Sequence, residues 1–398
     1  MERVNYREIK ASGGVWTLAV IMAGLIALAG WSVLYVEHHG HAVTGMNNQI
    51  VWGLPHVFAV ILIVAASGAL NVASMASVFG REAYKPLSRL SGILAIALLV
   101  GGLLVLVLDL GRPDRLLIAM TVFNFSSIFT WNVLLYTGFM GVVALYLWVQ
   151  MDRTVHPKYT KPAGILAFVW RLILTTGTGS IFGWLVARPG YDAALMAPLF
   201  IAMSFALGLA VFVLVLLALY RLDDRKIGDA LIARMTKLLG IFVAASLYFA
   251  AIQHVTNLYA AEHIDFERFI LSEGGIYTTL FWWGQIALGS LLPMALAFGG
   301  QPTNAHTRAI AVSILVILGG FAQLYVIIIG GQAYPMEIFP GYEVSSSFYD
   351  GEIANYAPSF YELALGVGGI AVALFATGIA AKVLRILPTN LKDKAEDA

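Results

Sequence analysis

The sequence predicts an all-α integral membrane protein of ten transmembrane helices, and three observations carry that expectation. Of 398 residues, 60% are hydrophobic and only 12% charged; the mean hydropathy of +0.82 leaves too little polar surface to clothe a soluble globule. The apolar residues gather into ten continuous runs, each able as a helix to cross a hydrocarbon core of ~30 Å, which takes roughly 20 residues. Basic residues alternate between connections: nineteen of the 24 Lys and Arg lie in the tails and even-numbered loops, and four lie in the odd-numbered loops. Positive charge favours the cytoplasmic side, so both termini are expected there.

The runs cover about 14–36, 52–79, 90–108, 128–150, 162–187, 195–220, 237–260, 277–298, 309–331 and 359–383. Each is continuous and far longer than a barrel strand, which selects helices. The first follows Arg3, Arg7 and Lys10, and Ala27-Leu28-Ala29 imitates a signal-peptide cleavage site, yet the apolar run continues through Val36 and reads as a span. In the second, Ser67, Asn71 and Ser74 fall within about 60° of His56 at ~100° per residue. That stripe suits a proton wire or, equally, tight polar packing between helices.

The third run breaks off into Leu108–Arg115, LDLGRPDR. Gly111 permits a sharp turn and Pro113 ends the helix, while Asp109, Arg112, Asp114 and Arg115 place opposite charges beside hydrocarbon. Either this is a polar stop in the headgroups or a proton-accepting site at the membrane edge. The fifth run carries Arg171 with Thr175 and Thr178 on one face, which calls for a buried partner or for snorkelling toward the cytoplasm. Gly177, Gly179 and Gly183 offer an interruption there that has no match in the second half. The seventh carries His254 beside Gln253, with Asn257 one turn on.

The odd-numbered, periplasmic side is acidic, with Glu37, Asp109, Asp114, Asp192, Glu262, Asp265, Glu267, Glu273, Glu337, Glu343, Asp350 and Glu352. It also holds the long connections 116–127, 261–276 and 332–358. The last is rich in Tyr334, Phe339, Tyr342, Phe348, Tyr349 and Tyr356, which suits a docking surface. His38, His39 and His41 after Glu37 offer a metal tract or, more simply, a solvated loop; no metal site is assigned. Cysteine is absent from the sequence, which excludes a thiolate-held iron–sulfur cluster, a thioether-attached haem and a cysteine nucleophile in this chain. Any electron carrier must come from elsewhere. The net charge of +1 lacks the basic footprint of a nucleic-acid binder.

LDLGRPDR, together with FNFSSIFTWN at 123–132, GLPHVFAVILIVAASGALNVAS at 53–74 and GGQAYPMEIFPG at 330–341, resembles the NrfD/PsrC family over essentially the whole chain. Within it the likeness is to DsrP-type ten-helix subunits of sulfite-reductase-linked Dsr complexes. The resemblance implies two four-helix bundles, helices 2–5 (52–187) and 6–9 (195–331), flanked by helices 1 and 10, in one membrane domain of the bacterial inner membrane. It implies quinone, menaquinone or ubiquinone, as substrate, with no haem or iron–sulfur cluster in this chain. A periplasmic iron–sulfur subunit would be the electron partner, alongside other membrane and cytochrome subunits. By position the family's quinone pocket matches His56, Asp109, Arg112 and Tyr136.

A quinol surrenders two protons with its two electrons, so His56 and Asp109 are expected to accept them while Arg112 keeps Asp109 ionised or positions it. Ser67, Asn71, Arg171 and His254 are the candidates for a proton path. Two competing classes remain: a secondary transporter or proton channel built on those same buried groups, and a passive anchor with no pocket.

Overall fold

The computed structural model describes residues 4–152, 154–299, 304–336 and 351–391. Among these residues ten helices are long and apolar enough to cross a membrane: α1 Gly13–His39, α2 Leu54–Ser77, α3 Glu82–Leu108, α4 Ile128–Met151, α5 Pro157–Gly183, α6 Met196–Leu222, α7 Asp229–Tyr259, α8 Ile276–Gly299, α9 Ala305–Ala333 and α10 Phe360–Val383. Local chemistry sets several of their starts. Ser12 caps α1 by accepting from the Val15 N–H, Pro55 opens α2 where its missing N–H costs nothing, and Ser359 with Glu362 forms a capping box on α10.

Helices α2, α3, α4 and α5 pack in a closed ring, and α6, α7, α8 and α9 close a second. The seam between them is α2 against α6, reinforced by α5 on α6 and α2 on α9. Glycine makes the seam possible: a Cβ on Gly68 would collide with the Ser204 carbonyl oxygen, and one on Gly208 would collide with the Gly68 carbonyl carbon. α10 lies on α3 and α2, and α1 lies on α10. The two outer helices therefore sit together on the same side of the molecule. α1 turns Trp16, Val20, Trp31 and Leu34 outward, as a helix surrounded by lipid does, whereas α2 is buried along nearly its whole length.

Two sequence-based expectations about interruptions are overturned. α5 runs as an unbroken helix over Thr160–Gly183; its glycines instead admit a neighbouring backbone, since a Cβ on Gly179 would lie 2.7 Å from the Met196 carbonyl oxygen. The second half does contain irregular helix, with wide π turns over Leu280–Leu291 in α8 and Val326–Gly330 in α9.

The segments before α1 and after α10 meet at one face, where β1 (Tyr6–Arg7) pairs antiparallel with β2 (Leu387–Pro388). Arg225 ties this corner together by donating to the carbonyls of Arg7, Glu8, Leu387 and Pro388 and pairing with Asp223 at 2.5 Å. This is the basic face of the sequence reading, and LDLGRPDR lies at the other. Of the long connection 332–358, Phe339, Tyr342, Phe348, Tyr349, Glu337, Glu343 and Asp350 lie outside the described residues.

Candidate functional site

The third helix ends where the sequence says it must. Asp109 is its C-cap, with its N–H on the Val105 carbonyl, and Gly111 follows at φ +68°. That left-handed residue is cheap only for glycine, and its bare α-carbon faces the ring of His41, whose Nε2 would lie 2.9 Å from an added Cβ. The turn directs the Asp109 carboxylate inward toward α2 and leaves Arg112 outside.

His56 lies on the first turn of α2, its Nδ1 3.0 Å from Asp109 Oδ2, with side chains 17% and 4% exposed. These two buried atoms are close, yet among the described residues neither has a hydrogen-bond partner. Such atoms can take a ligand's hydroxyl or carbonyl. The Trp52 ring stacks beside His56 with centroids 6.0 Å apart, and Phe129, Phe182 and Tyr191 surround Trp52 in turn. An imidazole and a carboxylate against an aromatic wall at the membrane edge make a proton-exchanging site for a flat, apolar molecule.

The backbone leading into this site is held by groups the sequence reading missed. The Gln332 side-chain oxygen accepts from the N–H groups of Val51 and Trp52 at 3.0 Å each, and its amide donates to the Trp52 carbonyl at 2.9 Å. Arg188 donates to the carbonyls of Gln332 and Gln49. The Tyr356 hydroxyl accepts from the Leu54 N–H and donates to Glu362 Oε1, both at 2.6 Å. Burial and the Glu362 carboxylate push the Tyr356 hydroxyl far above its ordinary pKa, so it remains a donor. Glu362 Oε2 accepts from Gly45 and Ser359 N–H. Of these, only the Ser359/Glu362 capping pair had a local sequence signature.

Other expected residues fall elsewhere. Arg112 does not attend Asp109: its guanidinium makes a two-pronged contact with Asp114, with both side chains more than half exposed. That pairing holds the Asp114 carboxyl below its ordinary range. Tyr136 lies in the α4–α5 seam, its hydroxyl 3.1 Å from Thr178 Oγ1, with no bond to His56 or Asp109. Ser67, Asn71 and Arg171 do come together. Ser67 Oγ is 2.5 Å from Thr175 Oγ1 and donates to the Arg171 carbonyl, while the Arg171 guanidinium bonds Asn71 Oδ1 and packs on Phe168 and Phe205. Arg171 is 0% exposed, which removes the snorkelling alternative. Residues 57–66 of α2 are all aliphatic or aromatic, so no polar stripe along α2 itself joins His56 to Ser67. His254 belongs to the second ring, its Nδ1 2.7 Å from Glu267 Oε2. No cluster of three metal-ligating side chains occurs among the described residues.

A ten-helix membrane protein with a His–carboxylate pair beneath one face is thus the class that fold and site define. The family described as polysulphide reductase, NrfD, matches residues 42–336, and the protein belongs to that family. It is 28% identical over 391 residues, 97% of each sequence, to the Hdr-like menaquinol oxidoreductase integral membrane subunit of Archaeoglobus fulgidus. It is 22% identical to the C subunit of polysulfide reductase from Wolinella succinogenes, over 72% of this sequence and 96% of that one. The menaquinone reductase integral membrane subunit of Nitratidesulfovibrio vulgaris is 22% identical, over 92% of this sequence and 91% of the relative.

Proposed function

We propose that this protein is the quinone-reacting membrane subunit of a multi-subunit oxidoreductase, and that His56 and Asp109 exchange the quinol's protons. The observation that carries the reading is the buried pair at 3.0 Å beside Trp52, two polar atoms that lack a hydrogen-bond partner among the described residues. The named relatives, membrane subunits of menaquinol, menaquinone and polysulfide oxidoreductases, support it.

A menaquinol or ubiquinol seated against Trp52 loses two protons and two electrons to become the quinone. His56 accepts one hydroxyl proton and Asp109 the other, then each releases it to water at that face. The electrons pass to an iron–sulfur subunit on the periplasmic side, since this chain holds no thiolate to carry a cluster. Run in reverse, the same groups supply protons to the quinone. Cytochrome and further membrane subunits, as in a Dsr-type complex, complete the electron path.

The test is Asp109→Asn, which keeps shape and hydrogen bonding but cannot accept a proton. Quinol turnover by the purified complex should fall by about 100-fold or more with assembly intact. Wild-type turnover in Asp109→Asn across a pH series would reduce LDLGRPDR to a helix stop.

A further inference from the structure

The second ring of helices encloses polar space that no quinone chemistry uses. Ser246 on α7, Gln285 and Ser290 on α8 and Gln323 on α9 face a common cavity, and Gly289 and Gly319 bring the α8 and α9 backbones together beside it. Water centres have about 20 Å³ there, and by that measure one water needs ~10–15 Å³. Gln285 and Gln323 are 5% and 6% exposed, yet among the described residues neither side-chain amide bonds to a protein group. A buried amide in hydrocarbon without a protein partner is satisfied by water. The π turns of Leu280–Leu291 carry Gln285 and Ser290 on this stretch, and such wide turns recur at working sites in helices.

The inner edge of α7 continues the polarity. Ser246, Gln253 and Asn257 are all buried on one face, spanning roughly 16 Å at 1.5 Å per residue. Asn257 donates to Glu267 Oε1 at 2.8 Å, and His254 lies 2.7 Å from Oε2 of the same carboxylate, which is itself 0% exposed. Toward the basic face the ring carries Leu239, Ala297, Ala309 and Val312, all buried and apolar; of the polar groups among them Thr236 is bonded to the Ile232 carbonyl, and the buried Ser313 hydroxyl is without a protein partner among the described residues.

We propose that α6–α9 hold a water-filled, proton-exchanging pocket that runs from mid-membrane to the Glu267–His254 pair at the Asp109 face and is shut toward the basic face. Amides and hydroxyls both donate and accept, so they can relay a proton along water without storing charge. The carboxylate and the imidazole are where the proton rests. In the transfer a proton leaves a water or hydronium at the mouth, binds Glu267, and passes to pocket water; no electron moves. The pocket stands apart from His56 and Asp109, so its failure and that of the quinol site are separately measurable.

Because the sequence has no cysteine, one introduced thiol gives the only S–H infrared band of the purified full-length protein in lipid. On transfer to D2O, Ser246→Cys should exchange more than about tenfold faster than Ser204→Cys, whose parent side chain is 0% exposed and bonded to the Ile201 carbonyl. Adding Gln323→Leu, which fills the pocket, should slow Ser246→Cys toward the Ser204→Cys rate. Separately, a carboxyl band that titrates and shifts in D2O should vanish in Glu267→Gln. Equal rates for the two thiols would mean a dry ring and overturn the proposal. Fast exchange with no carboxyl band lost in Glu267→Gln would overturn its proton step.

Discussion

Arg171 is a cation inside the bundle whose side-chain partners are neutral: Asn71, the Ser67 carbonyl and two aromatic faces. A guanidinium in hydrocarbon depends on such groups far more than they depend on it. Asn71→Leu, which strands the charge, should therefore cost about 3 kcal/mol or more, while Arg171→Met, which removes it, should cost less. Thermal unfolding in lipid ranks the two, and the reverse order would mean that the guanidinium contributes stability of its own beyond its bond to Asn71. Arg112 invites a different contrast. Its partner is Asp114 in solvent, so Arg112→Leu should let the Asp114 pKa rise to normal and leave the pH profile of turnover where it is. The depressed Asp114 pKa adds stability above its unfolded value that is lost as pH falls through the folded one, and full exposure makes that contribution slight. An upward shift of the turnover profile would instead tie Arg112 to Asp109. The sequence invited that pairing, since only Leu110 and Gly111 lie between the two. Gly111 at φ +68° turns the backbone between them, and side-chain direction past such a turn has no local signature.

Among elements, the α2–α6 contact decides how the two rings meet. Gly68→Ala would drive a methyl into the Ser204 carbonyl, which only separation of the helices can relieve. The variant should lose roughly 3 kcal/mol, whereas Gly24→Ala on α1, with open space around it, should be neutral; comparable losses in melting temperature for both would place the seam elsewhere. Helix number and order were legible because hydrocarbon allows few spanning structures. So were His56, Asp109, Arg171 and His254, because ionisable groups stand out in apolar runs. His56 and Asp109 were placed in one site by the family resemblance; the other partners were not legible, since Glu267 meets His254 from another segment, and Gln332 and Tyr356 are ordinary residues until α9 and α10 fold over the start of α2. The π turns of α8 and α9 left no mark in composition either, since they move the backbone partner one residue further along without changing which residues are apolar.

For the whole molecule, the Asp109 face is stitched from distant loops. Gln49 donates to the Ala333 and Glu352 carbonyls, and the Ala354 N–H donates to Ala333, so the connection 332–358 is anchored at both ends to the quinol-site side. A partner subunit that docks on this connection would meet its anchored ends beside that site. Deleting 342–349, which spares the Glu352 anchor, should release an iron–sulfur subunit while the helices remain folded; a partner retained at full occupancy on a size-exclusion column would move the docking surface elsewhere.

The near-complete burial of α2 bears on how the protein is made. Its surface is shared among α3, α5, α6, α9 and α10, so the second helix to leave the ribosome acquires its last neighbour only when the tenth has been synthesised. Until then the N–H groups of Leu54 and Gly45 lack the Tyr356 hydroxyl and the Glu362 carboxylate that accept from them, and a polypeptide ended after Ala333 would hold that state permanently. Such a truncation should insert nine spans yet be cleared by membrane proteases in a pulse-chase, although every helix of both rings is present.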